Sequence, residues 1–93
     1  MEQRTNAAER VAPLLRRSIV QTRSAQSKSA LYDKISRGLW TRPVQVGGRA
    51  VAWPANEVDA LNAARIAGLG EEAIKGLVVR LHAQRRLLVE EVL

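Results

Sequence analysis

The chain has 93 residues, of which 46% are hydrophobic, yet it contains no Phe, only three aromatic residues and no Cys, and its formal net charge is +6. This length allows one small domain with a helical appendage, and a core of Leu, Val, Ile and Ala around Trp40 and Trp53. The absence of Cys excludes disulfides and thiolate metal sites, a lone His82 cannot build a zinc site, and no apolar run approaches the roughly 18 residues of a membrane span.

No metal, cofactor, membrane or small-molecule substrate is therefore expected. The N-terminal MEQRTNAAER has charges where a secretory signal needs an apolar stretch, so the expectation is a cytoplasmic protein. Residues 1–13 form a polar N-terminal segment, either a short helix capped by Thr5 or Asn6 or, as favoured here, a frayed end closed off by Pro13.

The charge then concentrates. Residues 16 to 49 hold Arg16, Arg17, Arg23, Lys28, Lys34, Arg37, Arg42 and Arg49 against the single acid Asp33, so that stretch carries +7 and the remainder about −1. A segregated basic stretch points to a polyanionic partner, with DNA or RNA first.

Within it, Ser18 to Ser24 reads as a short helix with Ser18 as N-cap and Ile19 and Val20 as its apolar residues. Ser24-Ala25-Gln26 is a tight connection without the Gly that would ease it. Ser27 caps a second helix that ends at Gly38, with Leu31 and Ile35 as its buried stripe. Two short helices with so short a link read as a helix-turn-helix, whose second helix would present Lys28 and Ser29 to a major groove. The plainer alternative is an ordinary amphipathic helix pair.

Residues 40–53 change the pattern. Val44 and Val46 alternate with Gln45, Gly47-Gly48 supplies a turn, and Ala50 to Trp53 follow, which reads as a β-hairpin flanked by Arg42 and Arg49. Beside a helix-turn-helix such a hairpin is a wing, and Arg49 is placed either in a minor groove or in solvent. Residues 55–67 read as a third helix, with Asn56 as a possible cap, acids in its first turn, and Val58, Leu61 and Ile66 as apolar contacts.

After Gly68-Leu69-Gly70, residues 71–93 form the longest helix. Its stripe is Ile74, Leu77, Val78, Leu81, Leu88 and Val92, interrupted at Gln84 and Arg85; Val79, Leu87, Val89 and Leu93 widen the apolar surface. The favoured reading is a dimerisation or docking helix, the alternative that it folds back on its own domain. The fold class is thus mainly α with a small β-hairpin: a winged helix-turn-helix over 14–67 followed by a long C-terminal helix over 71–93.

The run from Ser27 to Ala67 resembles the AlpA-type phage and prophage regulators, small winged-helix proteins related to excisionases and to the DNA-binding heads of MerR regulators. The resemblance rests on Ser27 to Tyr32, Arg37 to Trp40, the Pro-Val-x-aliphatic-Gly-x-Arg-x-Val-x-Trp run from Pro43 to Trp53, and Asn56 to Ala60. It covers about residues 15 to 67. It implies sequence-specific DNA binding, with Lys28, Ser29 and Tyr32 as reading positions on the second helix, Arg49 on the wing, and Trp53 in the core. Gln21, Ala25, Gln26, Asp33 and Leu61-Asn62 depart from the family pattern; Asp33 either meets DNA or pairs with Arg37.

The leading expectation is a DNA-binding transcriptional regulator or excisionase-like factor. Arg16, Arg17, Lys34, Arg37 and Arg42 would neutralise phosphate, and the partner is double-stranded DNA. A homodimer or side-by-side protomers would form through the C-terminal helix. The alternative is a protein-interaction adaptor or inhibitor that does not read DNA. RNA binding lacks a visible stacking platform, and no nucleophile–base arrangement or phosphate loop supports an enzyme.

Overall fold

The computed structural model describes residues 11–93, the side chain of Val92 excepted; the expectation for the first ten residues and for Val92 lies outside what is described. Leu14–Arg16 form a short strand, β1. The sequence pattern gives no strand there, since three residues are too few to show alternation. Its partner makes it a strand: β1 pairs antiparallel with β3 (Ala50–Pro54), setting Leu15 opposite Trp53 and Arg16 opposite Ala52. β2 (Val44–Gly47) pairs with the other edge of β3, so the expected hairpin is two-thirds of a three-stranded sheet of order β1-β3-β2. The β2–β3 register slips between Gln45 and Gly47, and Gly47 and Gly48 turn the chain at φ +129° and +53°. Such angles favour glycine, which has no Cβ to clash.

α1 (Arg17–Ser24) follows β1 without a loop. The expected cap is corrected: the N-cap is Arg16, in an extended conformation, and Ser18 lies inside the first turn. Strand pairing holds residue 16 extended, so the helix begins earlier than the serine signal suggests. At its other end Ala25 adopts the left-handed conformation, φ 53°, in the place of a glycine. That conformation costs a non-glycine residue about 1 kcal/mol. Four contacts hold it: Ser24 Oγ donates to Val20 O (2.6 Å), Gln26 Nε2 to Ser24 Oγ (2.8 Å), Asn62 Nδ2 to Arg23 O (3.0 Å) and Arg65 Nη1 to Ser24 O (2.7 Å).

α2 (Lys28–Ser36) starts and stops as its sequence indicates. Ser27 Oγ accepts from the Ala30 amide at 3.1 Å. At the far end Gly38 has φ +75°, its amide donates to Ile35 O, and the Leu39 amide donates to Lys34 O at 2.8 Å, the Schellman pattern.

α3 (Ala55–Ile66) runs directly out of β3 with Pro54 at the N-cap, so Asn56 does not cap it. Val58 and Leu61 are buried as expected, but Ile66 is 87% exposed. Five residues past Leu61, it points about 140° away from the buried stripe.

α4 (Glu71–Val92) resolves the choice posed for the last helix: its first half folds back. Val78 and Leu81 are buried with Val20, Leu31, Trp40, Trp53, Val58 and Leu61, and Ile74 and Leu77 pack against that cluster. Four residues of the predicted docking stripe therefore belong to the domain's own core. A core without Phe is thin, and α4 supplies the missing cover. Leu88 is half-buried, and Val79, Leu87, Val89 and Leu93 face outward. Among the described residues no helix is long and apolar enough to cross a membrane.

A buried ion pair fastens α4. The Glu57 side chain, only 3% exposed, takes both Arg85 Nη2 (2.6 Å) and Arg85 Nε (2.7 Å). Arg85→Ala leaves that carboxylate buried without a counter-charge, and urea unfolding is expected to show a loss of about 3–5 kcal/mol. Adding Glu57→Gln should recover much of it; a loss under about 1 kcal/mol would mean the pair is not what holds α4.

Candidate nucleic-acid interface

The basic stretch folds so that some of its cations converge and others are engaged inside the protein. Arg16 ends β1, Arg17 opens α1 and Arg49 sits at the hairpin turn. Pairing of β1 with β3 brings these distant segments together, and Arg16, Arg17, Ser18 and Arg49 line one groove with Ala50 and Val51. No carboxylate lines that groove, and none of the three arginines forms an ion pair among the described residues.

On α2, Lys28, Ser29 and Tyr32 line a second open concavity with Ser27. Lys28 and Tyr32 are one helical turn apart and both exposed, at the end of the helix where amides point outward. Ser29 Oγ lies 3.3 Å from Ser27 Oγ, so the cap and the candidate reading residue share a hydroxyl contact. Tyr32 meets Trp53 edge to face, with ring centroids 6.4 Å apart, which ties the exposed face of α2 to the core.

Two predicted phosphate-neutralising residues are engaged elsewhere. Lys34 Nζ donates to the Gln26 side-chain carbonyl at 2.6 Å. Burial, and then the charges of Arg65 and Arg37, lower its pKa, while Asp33 opposes them. Gln26, polar at a core position, thereby finds its donor partner in Lys34 and its acceptor partner in Ser24. Arg37 donates to Glu71 Oε1 at 2.6 Å and lies 3.6 Å from Asp33, so the expected Asp33–Arg37 pair forms alongside a closer contact to the start of α4.

Arg42 is held by its backbone. Its amide donates to His82 Nε2 at 3.0 Å, and its carbonyl accepts from Arg85 Nη2 at 2.7 Å, while its side chain stays exposed. His82, unremarked as a site residue, is thus the acceptor that joins α4 to the segment entering β2. The sequence signal for the neighbouring contact is the break in the α4 stripe: a charge at Arg85, where an apolar residue would continue the face, calls for a buried counter-charge. Among the described residues, no group of His, Asp and Glu is arranged to hold a metal ion.

Residues 13–66 match the family described as Prophage CP4-57 regulatory protein (AlpA). The chain belongs to this family. The match ends at the last residue of α3, so β1, the two-helix unit, the hairpin and α3 are the family's part and α4 lies beyond it. No curated protein and no solved structure matches the chain. The basic segment from Arg16 to Arg49 falls inside the AlpA match.

The contact of this AlpA unit with α4 titrates. His82 accepts from Arg42 only while Nε2 is unprotonated. Burial, then Arg42 and Arg85, lower its pKa below the ordinary 6.5, with Glu57 opposing. The unfolded chain then takes up the proton first. The contribution is complete above about pH 6.5 and is lost as pH falls through the lower folded value. Thermal melts from pH 7.5 to 5 should show a decline that His82→Gln, an acceptor at every pH, reduces. An identical decline in both proteins would assign it to other groups.

Proposed function

We propose that the protein is a small, sequence-specific DNA-binding regulator of phage or mobile-element origin, a transcriptional regulator or excisionase-like factor. α2 enters the major groove N-terminus first, with Lys28, Ser29 and Tyr32 on bases and phosphates. Arg49 on the wing enters the minor groove, and Arg16, Arg17 and Arg42 neutralise backbone phosphate. The partner is double-stranded DNA, and the protein works in the cytoplasm by binding, without catalysis. The observation that carries the reading is the convergence of Arg16, Arg17 and Arg49 on one groove that, among the described residues, no carboxylate lines.

Lys34 and Arg37 support the scaffold in this reading, because their charged groups are held by Gln26, Glu71 and Asp33. Five of the expected DNA-facing cations form no ion pair among the described residues: Arg16, Lys28, Arg42 and Arg49, which are exposed, and Arg17, which is half-buried. With roughly 3–5 of them on phosphate, log affinity falls with log salt at a slope of about −2.7 to −4.5. One short helix reads few base pairs, so specific control uses a homodimer or side-by-side protomers on repeated sites. The surface left for that pairing on α4 is its outward side, with Val79 and Leu87, since the inner stripe is occupied.

The second reading is a protein-interaction adaptor or inhibitor on the same scaffold. It draws on those exposed apolar residues of α4 and on the two cations held within the fold.

Fluorescence anisotropy with the DNA upstream of its own gene, against scrambled DNA, tests the choice across a salt series. Lys28→Ala with Arg49→Ala should weaken specific binding by at least about tenfold, and Lys34→Ala by less than about threefold. Arg49→Ala alone should cost more on A·T-rich than on G·C-rich minor grooves. Equal, weak binding of native and scrambled DNA would remove the DNA-reading proposal in favour of the adaptor.

A further inference from the structure

The two-helix unit has a second surface that the DNA contacts above do not use. It lies where the end of α1 meets the end of α3. Arg23, Ser24 and Ala25 face Asn62, Arg65 and Ile66 across an open concavity of about 410 Å³. Its floor is built: the Asn62 amide and the Arg65 guanidinium close on the last carbonyls of α1 at 3.0 and 2.7 Å.

No carboxylate lines this concavity, and neither Arg23 nor Arg65 forms an ion pair among the described residues. Lys34 is tied to the same turn, because its Nζ donates to Gln26, whose amide donates to Ser24 Oγ. Asp59, one turn before Asn62 on α3, pairs with none of them. Three cations thus gather around one turn, and beside them Ile66 is 87% exposed.

An exposed isoleucine beside two arginines that form no ion pair among the described residues matches one class of partner. A phosphate backbone can use the arginines but gains nothing from Ile66. An acidic polypeptide uses both, placing carboxylates on Arg23 and Arg65 and an apolar side chain on Ile66. The position also separates this concavity from the groove of Arg16, Arg17 and Arg49. The groove of Arg16, Arg17 and Arg49 opens at the first residues of α1, and this concavity at its last. An eight-residue helix keeps such ends about 12 Å apart.

We propose that the concavity between the ends of α1 and α3 docks an acidic segment of a partner protein, leaving the DNA-facing groove free. This goes beyond the DNA-binding reading and uses different residues.

The test uses the full chain and two labelled peptides, one of alternating Asp and Glu around a central Leu, the other with that Leu replaced by Ser. Anisotropy at about physiological salt, where exposed charge is screened beyond about 8 Å, should show the Leu peptide bound more tightly. Arg23→Ala with Ile66→Ser should weaken it by about tenfold. Arg65 is left in place because it holds the turn. Arg49→Ala, which also removes one charge, should change peptide binding less than about twofold, and Arg23→Ala/Ile66→Ser should leave affinity for a mixed-sequence duplex within about twofold. Circular dichroism confirms that each variant is folded.

Equal loss in both variants, or no preference for Leu over Ser, would reduce the surface to general positive charge and overturn the proposal. A comparable loss of duplex affinity in Arg23→Ala/Ile66→Ser would assign the surface to nucleic acid and overturn it as well. Should the wild-type chain bind no DNA at all, the peptide comparison still decides this point by itself.

Discussion

The architecture depends on neutralising one buried carboxylate. Glu57 lies in the first turn of α3 with its side chain almost wholly removed from water, and Arg85 covers both of its oxygens. A lone carboxylate in that position would be strongly unfavourable, so α3 and α4 are stable together rather than separately. The same guanidinium donates to Arg42 O, and His82, three residues earlier, accepts from Arg42 N. One turn of α4 therefore fixes α3 and the segment that leads into the hairpin. The AlpA-matched portion ends at α3, yet its core is completed by Val78 and Leu81 from beyond it.

The second constraint is the tight turn between α1 and α2. Ala25 occupies a conformation that suits glycine, and the strain is met by contacts from α3 and from the turn's own side chains. Gln26 and Lys34 belong to that arrangement, which explains how polar residues occupy places where an aliphatic side chain would serve. Part of the basic character of the stretch is thus structural: Lys34 and Arg37 are engaged by Gln26, Glu71 and Asp33, while Arg16, Arg23, Lys28, Arg42 and Arg49 are exposed and Arg17 is half-buried. A count of cations from sequence overstates the charge available to a partner for this reason.

Much of the fold was legible because its signals are local. Ser27 as a cap, Gly38 as a stop and Gly47-Gly48 as a turn each act through their own backbone angles or nearest amides. Strand β1 was not legible, because its identity comes from pairing with residues some 38 positions away, Arg16 with Ala52 at the near end and Leu14 with Pro54 at the far. The same holds for Ser18 and Asn56, good capping residues that the flanking strands leave one or two positions inside their helices.

The α4 helix shows where the boundary falls. Its amphipathic sequence, by itself, determined that a stripe from Ile74 to Leu88 must be covered, since apolar surface at helical spacing is driven out of water whatever covers it. Only the tertiary structure decided that the cover is the domain itself, because a partner for Arg85 and a donor for His82 exist only once α3 and the segment entering the hairpin are in place. The sequence likewise determined that positive charge is gathered between residues 16 and 49. Which of those charges face a common groove depended on β1 pairing with β3, a contact between segments that no local pattern relates.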